Sequence, residues 1–343
     1  MIPFLIAAQL KTKQYRSDLI QGQGKIIQDA HLPAFVGFCS AFVDEFQSLR
    51  FLFTQSTAGR FTHFVHGLAT ERLLNKIHMN TYLKLGRIFF GAGIAGLGVM
   101  HFFFPGIRPI ILPELADIRE GLSFIGYATG VLLIASGMLI AVGKNFNAVA
   151  LIMGVIFLGF FVFGHLPWSL TSGAFNQYWV NTNKIIALCG GFFVVASIRL
   201  PEYQNPILQW LARLAPLGKY LFAIMLYNFA IGHYNNLQGI SNIVPKYIPF
   251  PQFWTYIGGV ALMGSAISIF TGFKVRTIML LLSLNLFIWL LMLHLYYTVL
   301  YPAWSEGENF VGSLTCLCFC GTALVLSQER RLRDKEDKRR LRH

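Results

Sequence analysis

Four histidines stand inside apolar sequence: His101, His165, His233 and His294. An imidazole donates from one nitrogen, accepts on the other and changes charge near neutrality. At membrane depth such a group is costly, so it faces the interior of a helix bundle and takes a partner. The plainest use is a hydrogen bond to a neighbouring helix, which contributes about 1 kcal/mol in lipid. The chemical uses are a quinone headgroup site, a proton relay, or axial ligation of haem, the last requiring two rings turned to one plane. Other catalytic signatures are missing from the sequence. There is no HExxH zinc helix, no phosphate-binding glycine loop between a strand and a helix, and no Ser/His/Asp elbow.

The histidines recur in register. A shift of 132 residues lays Gly86 on Gly218, Phe90 on Phe222, His101 on His233, Ile111 on Ile243 and Pro113 on Pro245. After a three-residue gap, a shift of 129 lays Tyr127 on Tyr256, Gly130 on Gly259, Ser136 on Ser265, Gly143 on Gly272 and His165 on His294. Matches among Leu, Val and Gly are cheap in apolar sequence. Two matched histidines and a matched proline with one small gap are not, and they indicate a duplicated unit.

The elements that must hold these residues are membrane helices. Of 343 residues, 55% are hydrophobic and only 13% charged, against about a quarter charged in soluble domains. Apolar runs near 84–104, 122–142, 146–166, 183–200, 216–236, 253–273, 276–299 and 309–328 approach the ~20 residues that cross a hydrocarbon core. Backbone amides in lipid have no water to pair with, and nothing alternates like a barrel strand, so these runs are helical. Residues 168–179, with Trp168, Tyr178 and Trp179, read as an interfacial stretch before the short fourth run. The expected fold is all-α and polytopic, with eight transmembrane helices in two four-helix bundles. An even number of helices per copy relates the bundles by an axis along the membrane normal.

Charge sets the topology. The net charge is +13, and eight of the basic residues lie in the tail, 329–343, with others at the ends of apolar runs, which marks cytoplasmic flanks rather than a nucleic-acid surface. With both termini cytoplasmic, Lys144, Arg199, Arg213, Lys219, Lys274 and Arg276 fall inside, and Arg108, Arg119, Lys184 and Lys246 fall in outer loops. The outer segment 102–115 is hydrophobic, and it and its counterpart at 234–247 read as loops that dip back toward the bilayer. Residues 1–78 stand outside the repeat, as a cytoplasmic extension or as sequence upstream of a true start at Met79. The repeats occupy 79–205 and 206–328.

The remaining polar residues are read more plainly. Cys189, Cys316, Cys318 and Cys320 lie in apolar runs without a CxxC pair, so they fill helix contacts rather than bind metal. Tyr227, Asn228, Asn285, Ser136 and Ser265 are expected to bond helix to helix. No carboxylate falls inside a predicted span, which removes the usual centre of a proton-coupled carrier.

The stretch LGRIFFGAGIAGLGVMHFFFPG (85–106), the proline-containing loop after it, and GYATGVLLIASGMLIAVG (126–143) resemble the DoxX-like membrane proteins. That resemblance implies four-helix units, here two in tandem over roughly 80–328, in a bacterial inner membrane. Some relatives in that family are similar to the membrane subunit of a thiosulfate:quinone oxidoreductase. The family-typical histidine falls on His101 and His233, whereas the cysteines of this chain carry no redox motif. The functional expectation is therefore a quinone-interacting redox subunit, with quinone as the membrane-soluble ligand, a soluble redox partner, and the four histidines near an outer-leaflet pocket. The alternative is a transporter or membrane assembly component in which the histidines only pack.

Overall fold

The computed structural model describes residues 64–104, 106–113, 123–173, 175–199 and 203–329, with side chains from Asn80 onward except that of Ser123. The chain divides at Glu71 into two units, and the second, 72–343, carries the features that follow. The alternatives for residues 1–63 lie outside the described residues. Met79 itself falls within an unbroken helix.

Eight helices are long and apolar enough to cross a membrane. In chain order they are α1 (Phe64–Phe103), α2 (Ser123–Val142), α3 (Phe146–Ser172), α4 (Gln177–Ala196), α5 (Gly218–Asn235), α6 (Pro251–Thr271), α7 (Val275–Leu300) and α8 (Glu308–Leu326). Large apolar side chains such as Phe124, Phe163 and Phe250 stand more than three-quarters exposed on the outside of the bundle. A soluble protein seldom exposes so much contiguous apolar surface, and a bilayer makes it the favourable arrangement. The chain is a multi-pass membrane protein.

Sequential helices pack side by side from α2 through α8, and α1 touches both α2 and α8, closing the circuit. Two helices are interior: the most apolar windows of α4 and α8 are 83% and 72% buried, against 28–50% for the others. They meet each other across the middle, where Gly191 on α4 faces Thr322 on α8 and Phe90 of α1.

Glycine makes the closest approaches. At Gly190 on α4 an added Cβ would lie 2.6 Å from the Gly218 carbonyl of α5. At Gly86 on α1 it would lie 2.7 Å from the Gly321 carbonyl of α8. In lipid, helix association rests on such backbone contact rather than on a hydrophobic drive.

The fourth helix differs from expectation. It starts at Gln177, not near 183, because Asn176 caps it by accepting from the Trp179 N–H at 2.9 Å. Asn181, Thr182 and Asn183, which weaken the apolar run at its start, are buried in the bundle, whereas Trp168, one of the expected interfacial aromatics, is 41% exposed. Asn183 accepts from Asn228 Nδ2 of α5 at 2.7 Å, and Thr182 donates to the Tyr178 carbonyl. Lys184, assigned to an outer loop, likewise lies two turns into α4 and pairs with Glu308 at 2.6 Å. Hydropathy alone discounts polar residues whose partners sit on another helix.

Candidate functional site

The four histidines stand in the later turns of α1, α3, α5 and α7. His101 and His233 occupy the last turns of α1 and α5. His165 and His294 each end a π-helical segment, Phe160–His165 in α3 and Leu290–His294 in α7. Such wide turns inside α-helices recur at functional sites, because they displace side chains and free carbonyls. All four residues lie toward the same end of the bundle, yet they do not form one site.

The first pair is held by the backbone of the intervening loop, although the buried His165 Nδ1 finds no partner among the described residues. His101 Nδ1 lies 2.9 Å from the Leu97 carbonyl, which makes that nitrogen the donor and leaves Nε2 to accept from the Arg108 N–H at 3.4 Å. His165 Nε2 donates to the Ile111 carbonyl at 3.1 Å. The loop 104–113 thus lies between the two rings, with Ile110 and Ile111 each only 1% exposed. The expected hydrophobic loop does turn back, but into the bundle. Arg108, 2% exposed, pins it by donating to the Glu306 carbonyl at 2.6 Å and to its carboxylate at 3.2 Å.

The second pair faces open space. His233 and His294 line a cavity of about 640 Å³ enclosed by α4, α5, α6, α7, α8 and the loop after α5. That volume is within the ~300–1,000 Å³ usual for small-molecule sites. His233 Nδ1 donates to the Phe229 carbonyl at 2.7 Å, as His101 does to Leu97. No backbone N–H among the described residues caps its Nε2, so that lone pair is left as an acceptor. The loop after α5 stays up: Ile243, which the 132-residue shift lays on Ile111, is 52% exposed.

The rest of the cavity supplies complementary groups. The Asn285 amide Nδ2 is buried and finds no partner, although it borders the cavity. An unsatisfied buried donor costs about 1–3 kcal/mol, which is the usual mark of a missing ligand or water. The Trp289 indole lies parallel to the His233 ring at 13°, with centroids 6.2 Å apart. Trp179, Phe229 and Trp254 add further aromatic wall. Cys316 borders the cavity beside His294, its thiol donating to the Leu286 carbonyl at 3.3 Å. On the α4–α8 side the Lys184–Glu308 ion pair closes the space.

The site is thus a mostly apolar chamber with one amide donor, an imidazole acceptor, a second imidazole and flat aromatic walls. It can bind a planar ring that carries both a carbonyl and a hydroxyl. Among the described residues no three His, Cys, Asp or Glu side chains group as metal ligands.

Sequence reasoning found the histidines but missed the chamber. Trp289, Thr315 and the Lys184–Glu308 pair were not singled out, and Asn285 was assigned to helix packing. The available signal was a break in the sequence match: the 129-residue shift lays Asn285 on Ile156. Comparison with known proteins adds no assignment, since no protein-family model, no curated protein and no solved structure matches this chain.

Proposed function

We propose that the chain is a tandem of two DoxX-like four-helix units whose second unit binds the headgroup of a quinone. The observation that carries this reading is the cavity between His233 and His294, into which an unpartnered Asn285 donor and a free His233 acceptor open. A quinone carbonyl accepts from Asn285, and the hydroxyl of the reduced form donates to His233. Trp289 and Trp254 flank the ring, where offset aromatic stacking contributes about 0.5–1.5 kcal/mol.

Duplication is supported by backbone detail as well as by sequence. Gly143 and Gly272 both take positive φ, 93° and 74°, and so do Asn145 and Lys274, at 49° and 44°. The two π segments end at the two matched histidines. The contacts Gly86–Gly321 and Gly218–Gly190 pair α1 with α8 as α5 pairs with α4. On this reading the first unit became a plugged scaffold while the second kept its pocket.

Reduction of a quinone takes two electrons and two protons. The imidazoles of His233 and His294 exchange the protons, and a separate soluble redox protein supplies or takes the electrons. On this reading both termini are cytoplasmic, which the basic tail 329–343 supports, and the pocket lies in the outer leaflet of a bacterial inner membrane. Haem fits less well, because its propionates need free cations and Lys184 is already paired with Glu308.

Purification in mild detergent, organic extraction and mass spectrometry test this reading. A copurifying quinone that is lost in His233→Leu supports it. A wild-type protein that carries no quinone and binds none when it is added refutes it.

A further inference from the structure

We propose that the ligand is a tailed lipophile whose apolar chain leaves the cavity sideways, between α6 and α7, past Ile257 and Ile288. This rests on the headgroup reading above and names how the rest of the molecule is accommodated.

The walls of the cavity are unequal. The lining residues of α5 and α8, such as Met225, Leu226, Cys316 and Phe319, are buried. The side between α4 and α8 is held shut by Lys184 and Glu308, which are 13% and 15% exposed. The only strongly exposed lining residues among those described are Ile243 of the loop, Trp254 and Ile257 of α6, and Ile288 of α7, at 52%, 49%, 45% and 42%. Three of the four lie on the neighbouring helices α6 and α7, and none is charged. A route for a water-soluble substrate would need polar groups at its mouth. A route for a hydrocarbon chain needs none.

Depth agrees with composition. Ile257 lies six residues into α6, about 9 Å along the helix axis at 1.5 Å per residue. Ile288 lies twelve residues before the end of α7, roughly 18 Å from it. The seam therefore opens into the acyl region of a core ~30 Å thick, not at its polar boundary. Its floor is set by Trp289, whose ring would lie 2.9 Å from a Cβ added at Gly258. The same ring stacks on His233, so the seam leads directly to the headgroup position. The lid side is less open to passage, since Tyr247 on the loop donates to the Met292 carbonyl of the π segment and ties the loop to α7.

The test uses the full chain in lipid nanodiscs and two probes, a tail-free dimethoxy-benzoquinone and the same head bearing a decyl chain. Binding is read by quenching of tryptophan emission, and the ratio of the two affinities is compared between proteins so that partition into lipid cancels. The variants are Ile257→Trp and Ile288→Trp, which narrow the seam, and Ile243→Trp on the loop. The expected result is a tenfold or greater fall in the tailed-to-untailed ratio for the two seam variants, with tail-free binding within twofold of wild type and Ile243→Trp unchanged. Ile257→Ala should speed association of the tailed probe. An unchanged ratio in both seam variants, or a fall confined to Ile243→Trp, overturns the lateral route while leaving the headgroup site standing. Failure of wild type to bind either probe overturns both.

Discussion

The His233 imidazole lies flat against the Trp289 indole, its Nδ1 spent on the Phe229 carbonyl and its Nε2 left open. The matched ring of His101 makes the same bond to Leu97 but has its second nitrogen capped by the Arg108 N–H. One protein thus holds a capped and an uncapped imidazole in the same local geometry, and each consequence can be measured against its own internal control.

Substitution at the two histidines should separate stability from binding. His101→Ala removes two hydrogen bonds and leaves the Arg108 N–H buried without an acceptor, a loss of about 1–3 kcal/mol. Thermal unfolding in detergent should show a lower midpoint, with quinone affinity per folded molecule unchanged. His233→Ala should do the reverse, losing binding with a smaller shift of the midpoint. Equal binding loss in both variants contradicts the asymmetry.

Asn285→Leu provides a sharper separation. Removing a buried donor that has no partner relieves a desolvation cost, so the apo protein should unfold at the same temperature or higher. Quinone affinity should fall about 2- to 12-fold, the equivalent of one net hydrogen bond at ~0.5–1.5 kcal/mol. A marked loss of apo stability would mean that the amide is bonded within the protein.

The glycine contacts predict where bulk is tolerated. Gly190→Ala and Gly86→Ala push a methyl to within 2.6 and 2.7 Å of opposing carbonyl oxygens, so each should destabilise by about 1–3 kcal/mol. Gly264 on α6 has nothing within 4 Å of an added Cβ, and Gly264→Ala should be neutral or stabilising by up to ~1 kcal/mol. Chromatographic stability after graded heating would rank the three.

Lys184 and Glu308 should behave as a coupled pair. Both are largely buried, so Lys184→Met alone leaves a carboxylate without its cation, at a cost of up to about 3–5 kcal/mol. The double variant Lys184→Met/Glu308→Gln should recover much of that loss. Additive losses in a double-mutant cycle would show that the pair contributes no coupling.

Much of this molecule was legible in the sequence because lipid imposes few solutions. Runs of about 20 apolar residues gave the eight helices, most within a few residues of the observed ends. The fourth helix was placed late because Asn181, Thr182 and Asn183 count against it in hydropathy while their partners lie in the folded bundle. The histidines were visible because they repeat. That one pair is plugged and the other faces a cavity was not visible, since Ile111 and Ile243 are the same residue in the same motif. Only the packing of the loop distinguishes them. Asn285 was read as a helix contact because a lone amide in a span usually is one, and its missing partner is a fact of three dimensions.

Photoaffinity labelling with an azido-substituted, decyl-tailed quinone, followed by peptide mapping, tests the central claim most directly. The account predicts adducts on cavity-lining residues of α5 to α8, near Trp254, Trp289 and Cys316, competed away by unlabelled quinone and lost in His233→Leu. Competed adducts around His101 and His165, or no competed adducts anywhere, would contradict it.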